Sequence, residues 1–205
     1  MGLVLGLGAV ATLATFQDDT WVRGQFASIR GGIEGSIDST NGLDGTWNNN
    51  FTSGSAAVMT VNPTANLLPG TTRYARFGLR TSSGVVNPAT VTMTQGVVAH
   101  NTGSNAAMSN AVRIRAYTSA NHSCNDTTTG QTGGVTYLLG GAGVYRAPNA
   151  APTGTPLTLP AGTAGAAGAG RTVCFEFSLA NDASSDAANG ADFSVTWPFT
   201  TNIGT

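Results

Sequence analysis

Residues 173–179 read Val173-Cys174-Phe175-Glu176-Phe177-Ser178-Leu179, a stretch in which every second side chain is apolar. A period of two places alternate side chains on opposite faces of a β-strand. The odd-numbered positions therefore predict an apolar face directed towards a core, with Cys174 and Glu176 on the other face. Such a strand needs a second apolar layer, so the stretch favours a sheet packed against another sheet.

The same alternation recurs along the chain, which predicts an all-β fold. Further candidate strands are 26–37, 56–61, 74–80, 90–94, 112–117, 135–139 and 191–199. Gly, Pro, Asn and Ser separate these segments as they do in turns, and no window of the sequence shows a helical stripe. We therefore expect an antiparallel two-sheet β-sandwich or jelly roll with an extended amino-terminal arm.

The predicted organisation has three parts. Residues 1–14 (MGLVLGLGAVATLA) have the length of a signal-peptide h-region, with a buried strand or helix as the alternative. Residues 15–25 are assigned to the arm and 26–205 to a single β-sandwich domain. Within that domain, the proline-rich stretch 147–160 is expected to be extended, and the Ala/Gly-rich stretch 161–170 to be flexible.

The chain carries few charges, 9 % of its residues, and its formal net charge is −1. No basic field attracts nucleic acid, so that class of partner is set aside. All nine cationic residues are arginines, which excludes Schiff bases and isopeptide bonds through a lysine amine. Four of them occupy outward strand positions: Arg76, Arg80, Arg113 and Arg115. They predict a solvated face, and binding of a polyanion or an acidic partner segment is the alternative.

Two cysteines, Cys124 and Cys174, are predicted to form one disulfide, because an even pair in a small exported chain usually does. Two buried free thiols are the alternative. Because alternation puts Cys174 on the outer face of its strand, the loop that carries Cys124 is expected to fold over that face.

No catalytic residue is predicted. His100 and His122 lack the spacing of a zinc motif. The glycine-rich stretch 140–143 is interpreted as a turn, since no helix follows it. Glu176 is interpreted as a solvated strand residue, since alternation separates it from the neighbouring phenylalanine rings.

No metal ligand or cofactor is predicted either, although two stretches rich in Asp and Asn leave calcium open. Their oxygen ligands would suit that ion, but the same residues favour turns on steric grounds. The first stretch contains Asp38, Asn41 and Asp44, and the second contains Asp182, Asp186, Asn189 and Asp192.

The amino-terminal sequence resembles the processing region of the TasA/camelysin family, whose members are exported through a SipW-type signal peptidase. Thr12 and Ala14 fall on the small-residue positions of that region, and Phe16 and Asp18 on its aromatic and acidic positions. Over most of its length the chain also resembles actinobacterial exported proteins with an alternate-type signal peptide, and this resemblance looks closer still. Three further motifs carry that similarity: a Cys soon after a strand (Cys124), a Cys opening a late strand (Cys174), and a closing Trp-x-Phe strand (197–199).

This resemblance implies a secreted structural protein that assembles into extracellular or biofilm-matrix fibres. In the best-known members, the mature amino-terminal segment adds as a strand to the next subunit. Cleavage is then expected between Ala14 and Thr15, and the only partners expected are further copies of the chain, joined head to tail. The residues assigned to the donor strand are Phe16, Asp18, Asp19, Trp21 and Val22.

Two other functions stay open. A monomeric binding module for a glycan or host ligand would present aromatic side chains, for which the candidates are Trp21, Trp47, Tyr137 and Tyr145. A camelysin-like protease is the least favoured function, because the sequence offers no ligand set for a metal.

Overall fold

The computed structural model describes residues 21–27, 32–37, 43–49, 57–60, 70–100, 106–118, 124, 135–180 and 193–204. These residues form two β-sheets and one short helix, α1 (Ala107–Ala111). In chain order the strands are β1 (Trp21–Ala27), β2 (Ile33–Ser36), β3 (Trp47–Asn48), β4 (Ala57–Thr60), β5 (Thr72–Thr81), β6 (Ala89–Met93), β7 (Val97–His100), β8 (Val112–Thr118), β9 (Thr136–Leu139), β10 (Leu157–Leu159), β11 (Arg171–Leu179) and β12 (Phe193–Ile203).

The strands are divided equally between the two sheets. The first sheet has the order β10-β6-β12-β1-β4, and β7 also pairs with β12. The second sheet has the order β3-β2-β5-β11-β8-β9. All pairings within the described residues are antiparallel except that of β1 with β12. The predicted all-β sandwich is confirmed, whereas the jelly-roll connectivity stays a prediction.

The core lies between the two sheets and is rich in aromatic rings. On β11 the predicted inward residues are all buried, and the Phe175 ring packs against Trp197 of β12, with ring centroids 4.9 Å apart. Phe77 of β5 and Phe199 of β12 join the sheets in the same way, with ring centroids 6.1 Å apart. Each such ring removes enough apolar surface from water to stabilise the fold by about 2–3 kcal/mol.

The predicted strand 26–37 is in fact two strands that lie in different sheets. β1 ends at Ala27 in the first sheet, and β2 begins at Ile33 in the second. Gly32 lies directly before β2. Its carbonyl accepts a hydrogen bond from the Ser82 amide, and a side chain at this position would collide with Ile203. β1 also begins before residue 26, so Trp21 to Gln25, assigned to the arm, form part of a sheet of this chain.

The Ala/Gly-rich stretch 161–170 was expected to be flexible, but backbone hydrogen bonds hold it against the turn after β5. The amides of Gly162 and Gly168 donate to Val85 and Thr81, and the Thr163 carbonyl accepts from Gly84. A side chain at Gly168 would come within 2.3 Å of the Pro160 carbonyl. The small residues therefore permit a close approach of two backbones, which composition alone does not distinguish from flexibility.

The outer face of the second sheet carries the predicted disulfide. Cys124 and Cys174 are bonded, with their Cα atoms 5.4 Å apart. Both are buried in a small cluster with Tyr117, against which Tyr74 and Tyr137 pack. The expectation that Cys124 lies over the outer face of β11 is therefore confirmed.

Candidate assembly site at the amino-terminal strand

The last strand, β12, is the scaffold of the candidate site. Its alternating residues Phe193, Val195, Trp197 and Phe199 are buried, and they fix which face of the strand meets the core. The Trp197 indole donates a hydrogen bond to the Pro148 carbonyl at 3.1 Å. Gly96 allows this contact, since a Cβ there would lie 2.4 Å from the same carbonyl and 2.5 Å from the indole nitrogen.

Pro198 interrupts β12 on one side only. Phe199 pairs with Met93 of β6 and Thr196 with Val97 of β7, so Pro198 lies opposite the break between those strands. Its carbonyl accepts a hydrogen bond from the Thr94 amide across that break, at 2.8 Å. The backbone N and C=O of one strand residue point to the same side, so the missing N–H of Pro198 also faces the break. The other edge of β12 consequently keeps its donors.

That other edge is occupied by β1. The two strands run parallel in an unbroken register, from Trp21 beside Ser194 to Ala27 beside Thr200. On its far side β1 pairs antiparallel with β4, from Trp21 beside Thr60 to Gly24 beside Ala57. Within the described residues β4 has no other strand partner. We call the space between β12 and β4, filled here by β1, the strand slot.

The predicted assembly residues divide at this point. Trp21 and Val22 lie in β1, level with Ser194 and Val195 of the same chain. Phe16, Asp18 and Asp19, together with the predicted cleavage site at Ala14 and Thr15, lie outside the described residues. The strand that pairs with β1, β12, was not predicted as part of the site. A proline inside a strongly alternating strand was the available signal, because it identifies one edge that cannot be continuously paired.

A second group of polar residues lies on the outer face of the second sheet. The side chain of Glu176 is 2 % exposed and accepts hydrogen bonds from Arg115 Nε, at 2.6 Å, and from the Tyr145 hydroxyl. The Arg115 guanidinium also lies 5.0 Å from the centre of the Tyr145 ring. The interpretation of Glu176 as solvated was wrong, because Tyr145 lies over this face of the sheet. Alternation correctly separated Glu176 from the phenylalanine rings, but it cannot show that another segment covers the outer face.

The turn before Tyr145 determines where that ring lies. Gly141 and Val144 exchange two backbone hydrogen bonds, and Arg146 then pairs with Ile114 of β8. Gly140 has φ +76°, and a Cβ there would lie 2.3 Å from the Val144 carbonyl. The glycine-rich stretch 140–143 is thus a turn, as predicted, and it directs the chain back across the sheet.

This environment alters the pKa of two of its groups. Burial, and then the hydrogen bond to Glu176, raise the pKa of the Tyr145 phenol to about 12. Burial by itself lowers the pKa of Arg115, but the hydrogen bond and charge of Glu176 outweigh it, so the net shift is upwards. The carboxylate is therefore held between two groups that keep their protons at neutral pH, which suits a structural contact.

The predicted solvated arginine face is only partly correct. Arg115 pairs with Glu176 as described, and Arg80 pairs with Glu34 at 2.6 Å while lying over the Trp47 ring. Arg76 reaches the Cys124 carbonyl, and Arg113 donates to backbone carbonyls of its own region. Three of these guanidinium groups therefore hold neighbouring segments on the sheet: Arg76, Arg80 and Arg115.

The aromatic candidates for a binding module do not form one surface. Trp21 belongs to the first sheet, while Trp47 and Tyr137 lie at opposite ends of the strand order of the second. Tyr137 packs on Tyr117, with ring centroids 5.8 Å apart, and Tyr145 is engaged with Glu176. A flat aromatic platform of the kind that stacks on a sugar is not built from these four residues.

Candidate metal ligands are largely outside the described part of the chain. Of the two Asp/Asn-rich stretches only Asp44 is described, and His122 is not. His100 ends β7, near Ser109 of α1, with 3.5 Å between Nε2 and the hydroxyl. Among the residues that the structure places, no three His, Cys, Asp or Glu side chains are grouped to hold a metal ion.

No helix in the described ranges is long and apolar enough to cross a membrane.

Comparison with models of known protein families gave no match. No curated protein matches the chain either.

Proposed function

We propose that this protein is a secreted structural subunit that assembles head to tail by inserting β1 into the strand slot of the next copy. The observation that carries the proposal is the position of β1. It precedes every other strand described, and it pairs with β12 over seven consecutive residues, Ser194 to Thr200.

The slot itself does not depend on which copy supplies β1. β12 and β4 offer the same backbone groups to either chain, and main-chain hydrogen bonds supply the affinity in strand addition. An emptied slot exposes the edge of β12, which is a template for pairing with another chain. Exchange between copies is heterologous, so it extends into an open filament.

The contacts on the outer face of the second sheet favour a structural role. Among the described residues, Glu176 is the one buried carboxylate. Arg115 neutralises its charge, and the second group that contacts it, the Tyr145 phenol, keeps its own proton at neutral pH. The Cys124–Cys174 disulfide fits an oxidising, extracellular compartment. A monomeric binding module has less support, because its four candidate aromatics are dispersed or engaged in packing.

The test uses the parallel register to ask which chain supplies β1. Arg23 lies level with Thr196. Two single variants, Arg23→Cys and Thr196→Cys, are mixed, allowed to assemble and oxidised mildly. If β1 is exchanged, a disulfide-linked dimer containing one chain of each kind appears on a non-reducing gel. The native cysteines do not compete, since both are bonded to each other.

Two controls define the outcome. Replacing Thr196→Cys by Thr200→Cys keeps the strand but moves the thiol four positions along it, roughly 13 Å, so this mixture should give little dimer. A double variant with both Arg23→Cys and Thr196→Cys should form a covalent ladder. If the double variant instead cross-links only within one chain and the mixture gives no dimer, strand exchange is excluded.

A further inference from the structure

The edge of β9 is closed by a segment that makes a single strand-like contact with it. The Thr155 amide donates a hydrogen bond to the Tyr137 carbonyl at 2.9 Å. Gly154 lies so close to β9 that a Cβ there would be 2.0 Å from that carbonyl and 2.5 Å from the Leu138 Cα. Only a residue without a side chain allows the two backbones to approach in this way.

The residues around this contact are poor partners for any further strand. Pro152 and Pro156 flank Gly154 and Thr155, and neither proline has a backbone N–H. The amide of Thr155 is already used on Tyr137. After Pro156 the chain enters β10, which pairs with β6 in the first sheet. We call residues 152–156 the edge cap.

An uncovered β9 would be a site for self-association. It is the last strand of the second sheet, and the Tyr137 carbonyl points away from β8, towards Thr155. The N–H and C=O groups on that side would be free to pair with another chain, which is the hazard of an exposed sheet edge. A second copy of this chain offers the same edge, and two identical edges can pair antiparallel about a two-fold axis.

We infer that the edge cap is an autoinhibitory element, which prevents β9 from pairing with the β9 strand of another copy. This pairing is independent of the proposed exchange of β1, because the two use different sheets. The cap closes the second sheet at β9, whereas the strand slot belongs to the first sheet.

The decisive variant is Gly154→Val, because its side chain must displace the cap from the backbone of β9. Hydrogen–deuterium exchange of residues 136–139 should become faster, and sedimentation velocity should show folded protein associating at concentrations where the parent protein does not. Gly165→Val is the matched control. It places the same side chain at an exposed glycine with open space around it, so it should change neither measurement.

A second variant covers the case in which Gly154→Val fails to fold. Thr155→Pro removes the single amide that binds Tyr137, and its ring Cδ takes the place of the amide hydrogen that pointed at the Tyr137 carbonyl. Loss of the hydrogen bond alone should raise the population of open cap about fivefold, and the contact of the ring with that carbonyl should raise it further. Adding Thr136→Lys at the half-buried start of β9 should suppress the association, since lysine protects sheet edges, while leaving assembly through β1 unchanged.

Two results would overturn the inference. In the first, residues 136–139 exchange no faster in either cap variant than in the parent protein. In the second, the edge opens but the variants sediment as the parent protein does, or associate to the same extent with and without Thr136→Lys.

Discussion

Tyr145 donates a hydrogen bond to Glu176, a carboxylate that is 2 % exposed on the outer face of β11. Arg115 binds the same carboxylate from β8, so three segments of the chain meet at one side chain. We expect Glu176→Gln to lower the free energy of unfolding by about 3 kcal/mol, because it leaves a largely buried guanidinium without its counter-charge. Tyr145→Phe should cost only about 1 kcal/mol, as it removes one hydrogen bond. Urea unfolding of both single variants and of the double variant gives the coupling energy between the two side chains. Equal losses of unfolding free energy in the two single variants would contradict this ranking.

The pKa of Tyr145 predicts loss of stability in alkaline solution. In the folded protein it is raised to about 12, above the ordinary value of 10. Because the folded state holds this proton more tightly, the contribution is fully present below pH 10 and is lost as the pH rises towards 12. Titration of tyrosinate absorbance should show one late phenol that is absent from Tyr145→Phe. If the variant and the parent protein titrate identically, the phenol is not buried against Glu176.

The disulfide should stabilise the fold mainly by restricting the unfolded chain. Its partners are 50 residues apart, and closing a loop of that length is worth about 4 kcal/mol in the chain-entropy model. Replacing both cysteines with serine should lower the midpoint of guanidinium unfolding accordingly. Because both sulfurs are buried, the native disulfide should also resist reductant until the protein is partly unfolded. Rapid reduction under native conditions would contradict that placement.

Gly140 and Gly143 provide a matched test of the turn that carries Tyr145. Both have positive φ, so alanine at either position should cost about 1–2 kcal/mol. At Gly140 the added Cβ would also meet the Val144 carbonyl, whereas at Gly143 it meets open space. Gly140→Ala should therefore be the more destabilising variant in thermal unfolding. If both variants lose the same stability, the contact between the Cβ added at Gly140 and the Val144 carbonyl is relieved at no energetic cost.

Removal of β1 should create a protein that binds the missing strand as a peptide. A chain beginning at Ser28 lacks all of β1 and leaves the edge of β12 unpaired. A synthetic peptide of residues 15–27 should bind it and raise its melting temperature. The same peptide with Gly24→Pro should bind weakly, because Gly24 lies beside both Trp197 and Ala57 and proline removes its donor. Equal binding of the two peptides would exclude pairing in this register.

Much of the second sheet could be predicted from its side chains. On β11, β8 and β5 the apolar residues that face the core occupy every second position, because one face of each strand meets the core. The short strands β3, β7 and β10 were missed. β10 has three residues and lies inside the proline-rich stretch 147–160, so its pairing with β6 is fixed by neighbours that a local pattern does not contain.

The candidate site was less predictable because its contacts join distant parts of the chain. Trp21 and Val22 were selected from the sequence, but their neighbours Ser194 and Val195 follow more than 170 residues later. Parallel pairing leaves no turn signal in the sequence, since the two strands cannot be joined by a hairpin. The burial of Glu176 was hidden for a similar reason, because the covering residue, Tyr145, is supplied by another segment.

The parallel pairing of the first and last strands has a mechanical consequence. β1 enters from the amino end of the chain and β12 leaves towards the carboxyl end, with both running in the same direction. A force that pulls the two ends of the chain apart must slide the strands past each other lengthwise. The hydrogen bonds between them then bear the load together in shear, and do not open one after another from an end. In a fibre of the proposed kind, this ladder would lie between two subunits and would carry any tension that acts along the strands.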